Sequence, residues 1–109
     1  MDVDEIQYVG GRSLYLDRQG QPMTLRQWGA AFSDVEGRIV AQDLVGNVLV
    51  LTMWMGVDAS LFSGKAPLIF GSILKEGLKF GHQIETATEA EALEAHEILV
   101  LKARQGVRP

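Results

Sequence analysis

Two strand-like runs joined by a two-residue turn constrain this chain more than any other feature. Residues 38–45 and 48–56 are rich in apolar and β-branched side chains, and Gly46-Asn47 lies between them. A Gly-X pair between such runs is typical of a type II′ hairpin turn. Pairing of the two valines beside the turn fixes the register, because a slip of one residue would turn every side chain to the other face. An antiparallel hairpin is therefore expected here.

Apolar side chains occupy both faces of the second run, from Val48 to Gly56. Such a strand is expected at the centre of a sheet, with cover on both sides. Further strands are predicted over residues 13–17, 67–74 and 78–86, where apolar runs or alternation occur. One face of the last strand would carry Leu78, Phe80, His82, Ile84 and Thr86.

Two helices begin with capping boxes. Thr24 is followed at the capping-box spacing by Gln27, and Thr88 is followed in the same way by Glu91. The first helix is expected to end between residues 33 and 36, before Gly37. The second is predicted to extend to about Arg104 and to carry one apolar stripe. The stripe consists of Ala92, Leu93, His96, Leu99, Val100 and Ala103.

This order of elements predicts an α+β fold. We expect an antiparallel sheet of four to five strands, arranged as a meander, with two helices packed on it in two layers. A single domain is predicted over residues 13–105, with a flexible N-terminal arm over 1–12 and a frayed tail over 106–109. A chain of 109 residues with 47% hydrophobic residues can bury one core without disulfides or metals.

Charge and composition exclude several classes of function. The net charge is −4, and the ten basic residues are scattered, which argues against nucleic-acid binding. Because there is no cysteine, thiolate metal sites are excluded, and no cofactor is predicted. The apolar stretch over 48–57 is shorter than the ~20 residues of a membrane span, and the acidic start does not resemble a secretory signal. A cytoplasmic protein is expected, in the host cell if the chain is phage-encoded.

Candidate catalytic groups are few. The two histidines, His82 and His96, do not have the spacing of metal ligands, and no nucleophile motif or phosphate-binding loop occurs. His96 lies in the apolar stripe, so it is interpreted as a core-edge histidine with one ring nitrogen bonded to the backbone. A role for this polar site as general base or pH-sensitive contact stays open. The chain is therefore predicted not to be an enzyme and to hold no metal.

Apolar side chains near a long loop suggest contact with a protein partner. Met-rich surfaces and apolar loop residues often bind other proteins. The predicted partner-binding residues are Trp54, Asp58, Leu61, Phe62 and Lys65. Substituting Phe62 with alanine is expected to weaken partner binding without unfolding the chain.

Several motifs together resemble a family of small, mostly uncharacterised proteins from bacteriophages, prophages and actinobacterial genomes. The motifs are Asp17-Arg18-Gln19-Gly20-Gln21-Pro22, Trp54-Met55-Gly56-Val57-Asp58, Pro67-Leu68-Ile69-Phe70 and Thr88-Glu89-Ala90-Glu91-Ala92-Leu93 with His96. This chain departs from the family pattern at Ala59, where histidine is common, and at Gly71, where glutamate is common. If those residues serve a site in relatives, part of that site is missing here. The resemblance implies a phage-type context and no established activity.

Three functional hypotheses follow. The first is a non-enzymatic module that binds a host or phage protein, with inhibition of a host defence system as one use of that binding. The second is a small ligand-binding protein or enzyme with a cleft between the sheet and the last helix, lined by His96, Asp58 and Trp54. The third is a homo-oligomer, such as a homodimer, joined through exposed strands.

Overall fold

The computed structural model of the chain describes residues 2–58, 60 and 66–109. The strands are β1 (Tyr8–Val9), β2 (Arg12–Ser13), β3 (Ile39–Val45), β4 (Val48–Trp54), β5 (Phe70–Glu76), β6 (Lys79–Phe80) and β7 (Ile84–Thr86). The helices are α1 (Leu25–Ser33), α2 (Val35–Arg38) and α3 (Glu89–Arg104). A small hairpin of β1 and β2 precedes a five-stranded antiparallel sheet on which α3 packs. The predicted α+β, two-layer class is confirmed.

The central hairpin has the predicted register over most of its length. Val45 pairs with Val48, and the pairing continues in step to Ala41 and Thr52. A bulge then shifts the pairing by one residue, so that Ile39 lies opposite Met53 in place of Val40, which the predicted register puts there. The bulge lies at the far end from the turn, where the turn no longer fixes the register.

The predicted last strand is wrong in one respect. It is divided into β6 and β7, which lie end to end beside β5. Phe80 pairs with Lys75 and Ile84 pairs with Ser72, so these two side chains point to opposite faces of the sheet. Gly81 N–H still donates to the carbonyl of Leu74 at 2.8 Å, and residues 81–83 lie outside both strands.

α3 begins at the predicted cap and covers one face of the sheet. Thr88 and Glu91 exchange both capping-box hydrogen bonds. Leu93, assigned to the buried stripe from its spacing, is exposed, and Ala95 is buried in its place. The core beneath the middle and end of α3 contains Val48, Val50, Leu74, Leu99, Val100 and Ala103.

α1 extends the same layer at the other end of the sheet. Trp28 and Ala31 of α1 pack against a second cluster, which contains Leu16, Trp54, Ile69, Phe70 and Ala92. Both clusters lie on the side of the sheet to which Val50 and Trp54 point. Among the described residues no helix layer covers the opposite side, so the prediction that the central strand is covered on both faces is not met there.

No helix among the described residues is long and apolar enough to cross a bilayer.

Candidate functional site

A chain of hydrogen bonds links the buried histidine to two strands. His96 is 1% exposed, and its Nδ1 lies 2.8 Å from Thr52 Oγ1. Thr52 Oγ1 is in turn 2.7 Å from Ser72 Oγ, and His96 Nε2 is 2.7 Å from Asp43 Oδ2. The prediction of a backbone partner for His96 is therefore wrong, because side chains from β3 and β4 take that place.

The arrangement has the residue types of a catalytic triad without the access that catalysis needs. Thr52 and Ser72 are fully buried beneath α3, so a substrate carbonyl cannot approach either hydroxyl. With an N–H on Nε2 pointing to Asp43, the ring accepts from Thr52, and Thr52 accepts from Ser72. Every ring nitrogen and hydroxyl is thereby satisfied inside the protein. The network joins α3 to the sheet and fixes their relative position.

Replacing His96 with leucine is expected to lower the free energy of unfolding by about 1–3 kcal/mol, because the buried Thr52 hydroxyl loses its partner on the ring. His82 provides a matched control, since it is exposed and its replacement with leucine should change stability by about 0.5 kcal/mol or less. Urea denaturation of both variants measures the difference. Equal stability of the two variants would show that the network does not hold α3.

A second buried group, Asp58, holds the two ends of a loop together. Its Oδ1 accepts hydrogen bonds from Ser60 N at 2.9 Å, Ser60 Oγ at 2.7 Å and Leu68 N at 3.1 Å. Its Oδ2 forms an ion pair with Arg12, which extends from the β1–β2 hairpin. Burial raises the pKa of Asp58, but the hydrogen bonds from Ser60 and Leu68 and the charge of Arg12 outweigh it and hold the pKa below its ordinary value of 3.8.

Two tryptophans close the corner next to this loop. Trp54 is 3% exposed, and its Nε1 donates to the carbonyl of Leu16 at 3.1 Å. Trp28 Nε1 donates to the carbonyl of Met55 at 3.1 Å, and its ring stacks on Tyr15. Gly56 passes between the two indoles with a φ of 72°. The Trp-x-Gly-x-Asp motif in this chain therefore has a structural role, where the chain leaves β4 and packs against Trp28 of α1.

The uncovered side of the sheet has a different character. Alternation along β4 and β5 turns Leu49, Leu51, Met53 and Ile73 away from α3. Two further members are mostly solvent-exposed: Leu44 on β3 is 71% exposed, and Phe80 on β6 is 61% exposed. We call these six apolar residues, together with Lys75 and Glu85, the open face. Apolar patches of this kind are characteristic of protein–protein contact surfaces.

Three cavities of the described chain are small, and one of them, of about 280 Å³, lies beside the Gly46-Asn47 turn. Another of about 250 Å³ lies between the sheet and α3, beside Leu74, Leu99 and His82. The third, also of about 250 Å³, lies beside Trp54 and the turn at Asp17. All three are below the ~300–1,000 Å³ typical of small-molecule sites. Within the described residues no group of three or more metal-ligating side chains occurs.

The predicted site residues that the structure describes do not lie together. His96 lies in the network under α3, Asp58 in the loop anchor and Trp54 in the core, so these three do not line a common cleft. Trp54 and Asp58 are buried and are used in contacts within the protein. The predicted partner-binding residues Leu61, Phe62 and Lys65 lie outside the described residues.

Sequence reasoning missed the partners of both buried polar groups. Asp43 lies opposite Val50 in the predicted register, which places its carboxylate on the side of the sheet that a helix must cover. An acid there and a histidine in the helix stripe could have been matched. Arg12 carries no such signal, because its pairing with Asp58 depends on how the N-terminal hairpin folds back. The open face was missed because an apolar central strand was expected to be covered twice.

Comparison with known proteins gives no information on function, so the fold and the geometry of its polar and apolar groups are the evidence for it. No family model matches the chain, and neither a curated protein nor a solved structure matches it significantly.

Proposed function

We propose that this chain is a non-enzymatic protein-binding module whose binding surface is the open face. The observation that carries the proposal is the one-sided cover of the sheet. β4 is apolar in both directions, yet within the described chain helices pack only on the side of Val50 and Trp54. The side of Leu49 and Leu51 is apolar enough to form a core and has no layer of its own there.

The use of the polar groups supports a binding role over catalysis. The buried histidine, threonine and serine are satisfied by one another and by Asp43. Asp58 is engaged by Arg12 and by the loop that it anchors. Activated groups of an enzyme need access to a substrate, and these groups lack it. Binding of a host or phage protein, with or without inhibition of a defence system, fits the same surface.

Matched leucine-to-glutamine variants test the surface. Leu51→Gln places an amide in the middle of the open face, next to Gln42 on the neighbouring strand. Leu101→Gln makes the same change on the outer side of α3, where Leu101 is exposed. Loss of a buried leucine contact costs about 1.5–3 kcal/mol, so Leu51→Gln should weaken partner binding about tenfold or more.

The measurement is saturable retention of proteins, second copies of the chain included, by the tagged chain in a cell extract. We expect retention by the wild type and by Leu101→Gln, and loss of retention by Leu51→Gln. Circular dichroism checks that both variants are folded. Equal retention by both variants would contradict the proposal, and so would a wild type that retains no protein saturably and does not self-associate.

A further inference from the structure

We infer that the open face binds a second copy of this chain, related by a two-fold axis that runs between the two sheets and across the strands. The inference rests on the proposed function, since it names the occupant of the same surface. It is carried by the positions of two charges within the apolar surface and by the size of that surface.

Lys75 and Glu85 are the charges that the sheet register places on the open face, on β5 and on the edge column formed by β6 and β7. Lys75 lies on β5, and Glu85 lies on β7 opposite Gly71, also on β5. Ile73 is midway between Lys75 and Gly71, with about 7 Å of strand on each side. Neither charge forms an ion pair in the described part of the protein, and Lys75 Nζ lies over the ring of Phe80 on the same face, 5.6 Å from its centre. The face therefore carries one positive and one negative charge on opposite sides of Ile73.

A two-fold axis across the strands at the level of Ile73 matches these charges. Rotation about this axis places each strand over the same strand of the partner. It also exchanges the two ends of the strand, so that a residue on one side of Ile73 faces a residue on the other side. Lys75 then faces the partner's Gly71, which is covered on this face by the side chain of the partner's Gln83, and the partner's Glu85 lies one strand away. The sheets would be about 10 Å apart and the strands about 4.8 Å apart, so both side chains can meet in the gap. The symmetry gives two such ion pairs in each dimer.

Other ways to stack the two faces do not satisfy the charges. An axis parallel to the strands through β5 would put Lys75 against its own copy, and like charges in close contact oppose association. The axis across the strands also matches the apolar rows. It stacks Leu51 on its copy and places Leu49 over the partner's Met53, because Leu49 and Met53 lie equally far from Leu51 on β4.

The area of the face fits a weak dimer. Four columns of strands at about 4.8 Å and strands of about 24 Å give a footprint of roughly 450 Å² per copy before side-chain relief is added. Two copies bury about 900 Å² before that relief is counted, which is just below the ~1,000 Å² expected of a specific interface and is typical of weak, transient contacts. We therefore expect a dimer that dissociates on dilution in the micromolar range.

Charge reversal tests the orientation of the two copies. Sedimentation velocity from about 5 to 200 µM should show a monomer–dimer equilibrium for the wild type. Lys75→Glu alone and Glu85→Lys alone should each raise the dissociation constant about tenfold or more, because each converts two attractions into two repulsions. The double variant Lys75→Glu/Glu85→Lys should restore dimerisation. Failure of the double variant to recover, with both singles impaired, would overturn the proposed axis.

A second pair of variants tests the surface itself. Because the chain has no cysteine, Ile73→Cys and Leu101→Cys each introduce a single thiol. A maleimide crosslinker of about 10 Å should join two copies through Cys at Ile73 and not at Leu101. A wild type that remains monomeric overturns the inference, and the proposed function then survives only if retention of another protein still depends on Leu51. If the wild type dimerises and no substitution in the open face weakens the dimer, both the inferred dimer and the proposed function are overturned.

Discussion

Replacing Gly56 with alanine is expected to destabilise the protein by about 3–5 kcal/mol, as measured by urea denaturation. Two physical effects add at this position. Gly56 has a φ of 72°, a left-handed conformation that costs an L-residue about 1–2 kcal/mol. A methyl group there would also overlap the ring of Trp54 and lie 2.7 Å from Trp28 Cδ1. Both indoles are held by hydrogen bonds to backbone carbonyls, so neither ring can move away freely.

Gly20 supplies the control that separates the two effects. It has a similar φ of 82°, but an added methyl group would meet no atom within 4 Å. Gly20→Ala should therefore cost only the backbone strain, about 1–2 kcal/mol. The difference between the variants measures the close approach of the two tryptophans. If the variants lost equal stability, the indoles would not confine Gly56 as described.

Replacing Asp58 with alanine is expected to cost about 3–5 kcal/mol near neutral pH, because it removes the carboxylate of a buried, hydrogen-bonded ion pair. The carboxylate is inaccessible to water and bonds Ser60, Leu68 and Arg12. Asp4 supplies the control, since its ion pair with Arg26 is mostly solvent-exposed. Asp4→Ala should change stability by about 1 kcal/mol or less. Similar losses in both variants would contradict the anchoring role of Asp58.

We also expect the difference in stability between the wild type and Asp58→Ala to depend on pH. The pKa of Asp58 is held below its ordinary value of 3.8 in the folded state, so the unfolded chain binds the proton more readily. The stability from the Asp58 carboxylate is present above about pH 4 and is lost as pH falls through the lowered folded pKa. The difference in the free energy of unfolding between the wild type and Asp58→Ala should therefore become smaller below about pH 4. A difference that is constant from pH 7 to pH 2 would contradict this sign.

Local signals in the sequence predict much of the fold. The Gly46-Asn47 turn gives the register of its hairpin because the turn and the alternation act on adjacent residues. The capping boxes at Thr24 and Thr88 give two helix starts for the same reason. These interactions join residues that are near in sequence, so the pattern contains them.

Features that depend on distant contacts are not predicted. The last strand is divided by a one-residue shift in its pairing with β5, between Lys75–Phe80 and Ser72–Ile84, and alternation along the sequence does not show such a shift. The burial of His96 follows from the helix stripe, whereas its partner Asp43 requires the helix to be placed over a particular strand. The open face is also invisible in the sequence, because an apolar position does not say whether a second layer covers it.

Solvent exposure of methyl groups tests the open face most directly. Nuclear magnetic resonance with a soluble paramagnetic agent compares Leu49, Leu51 and Ile73 with the core methyls of Val50 and Leu74. At low concentration we expect strong relaxation of the open-face methyls and weak relaxation of the core methyls. As the concentration rises, the open-face methyls should become protected while the core methyls stay unchanged. Open-face methyls that remain exposed at all concentrations, or that are already protected at the lowest concentration, would contradict a dimer through this face.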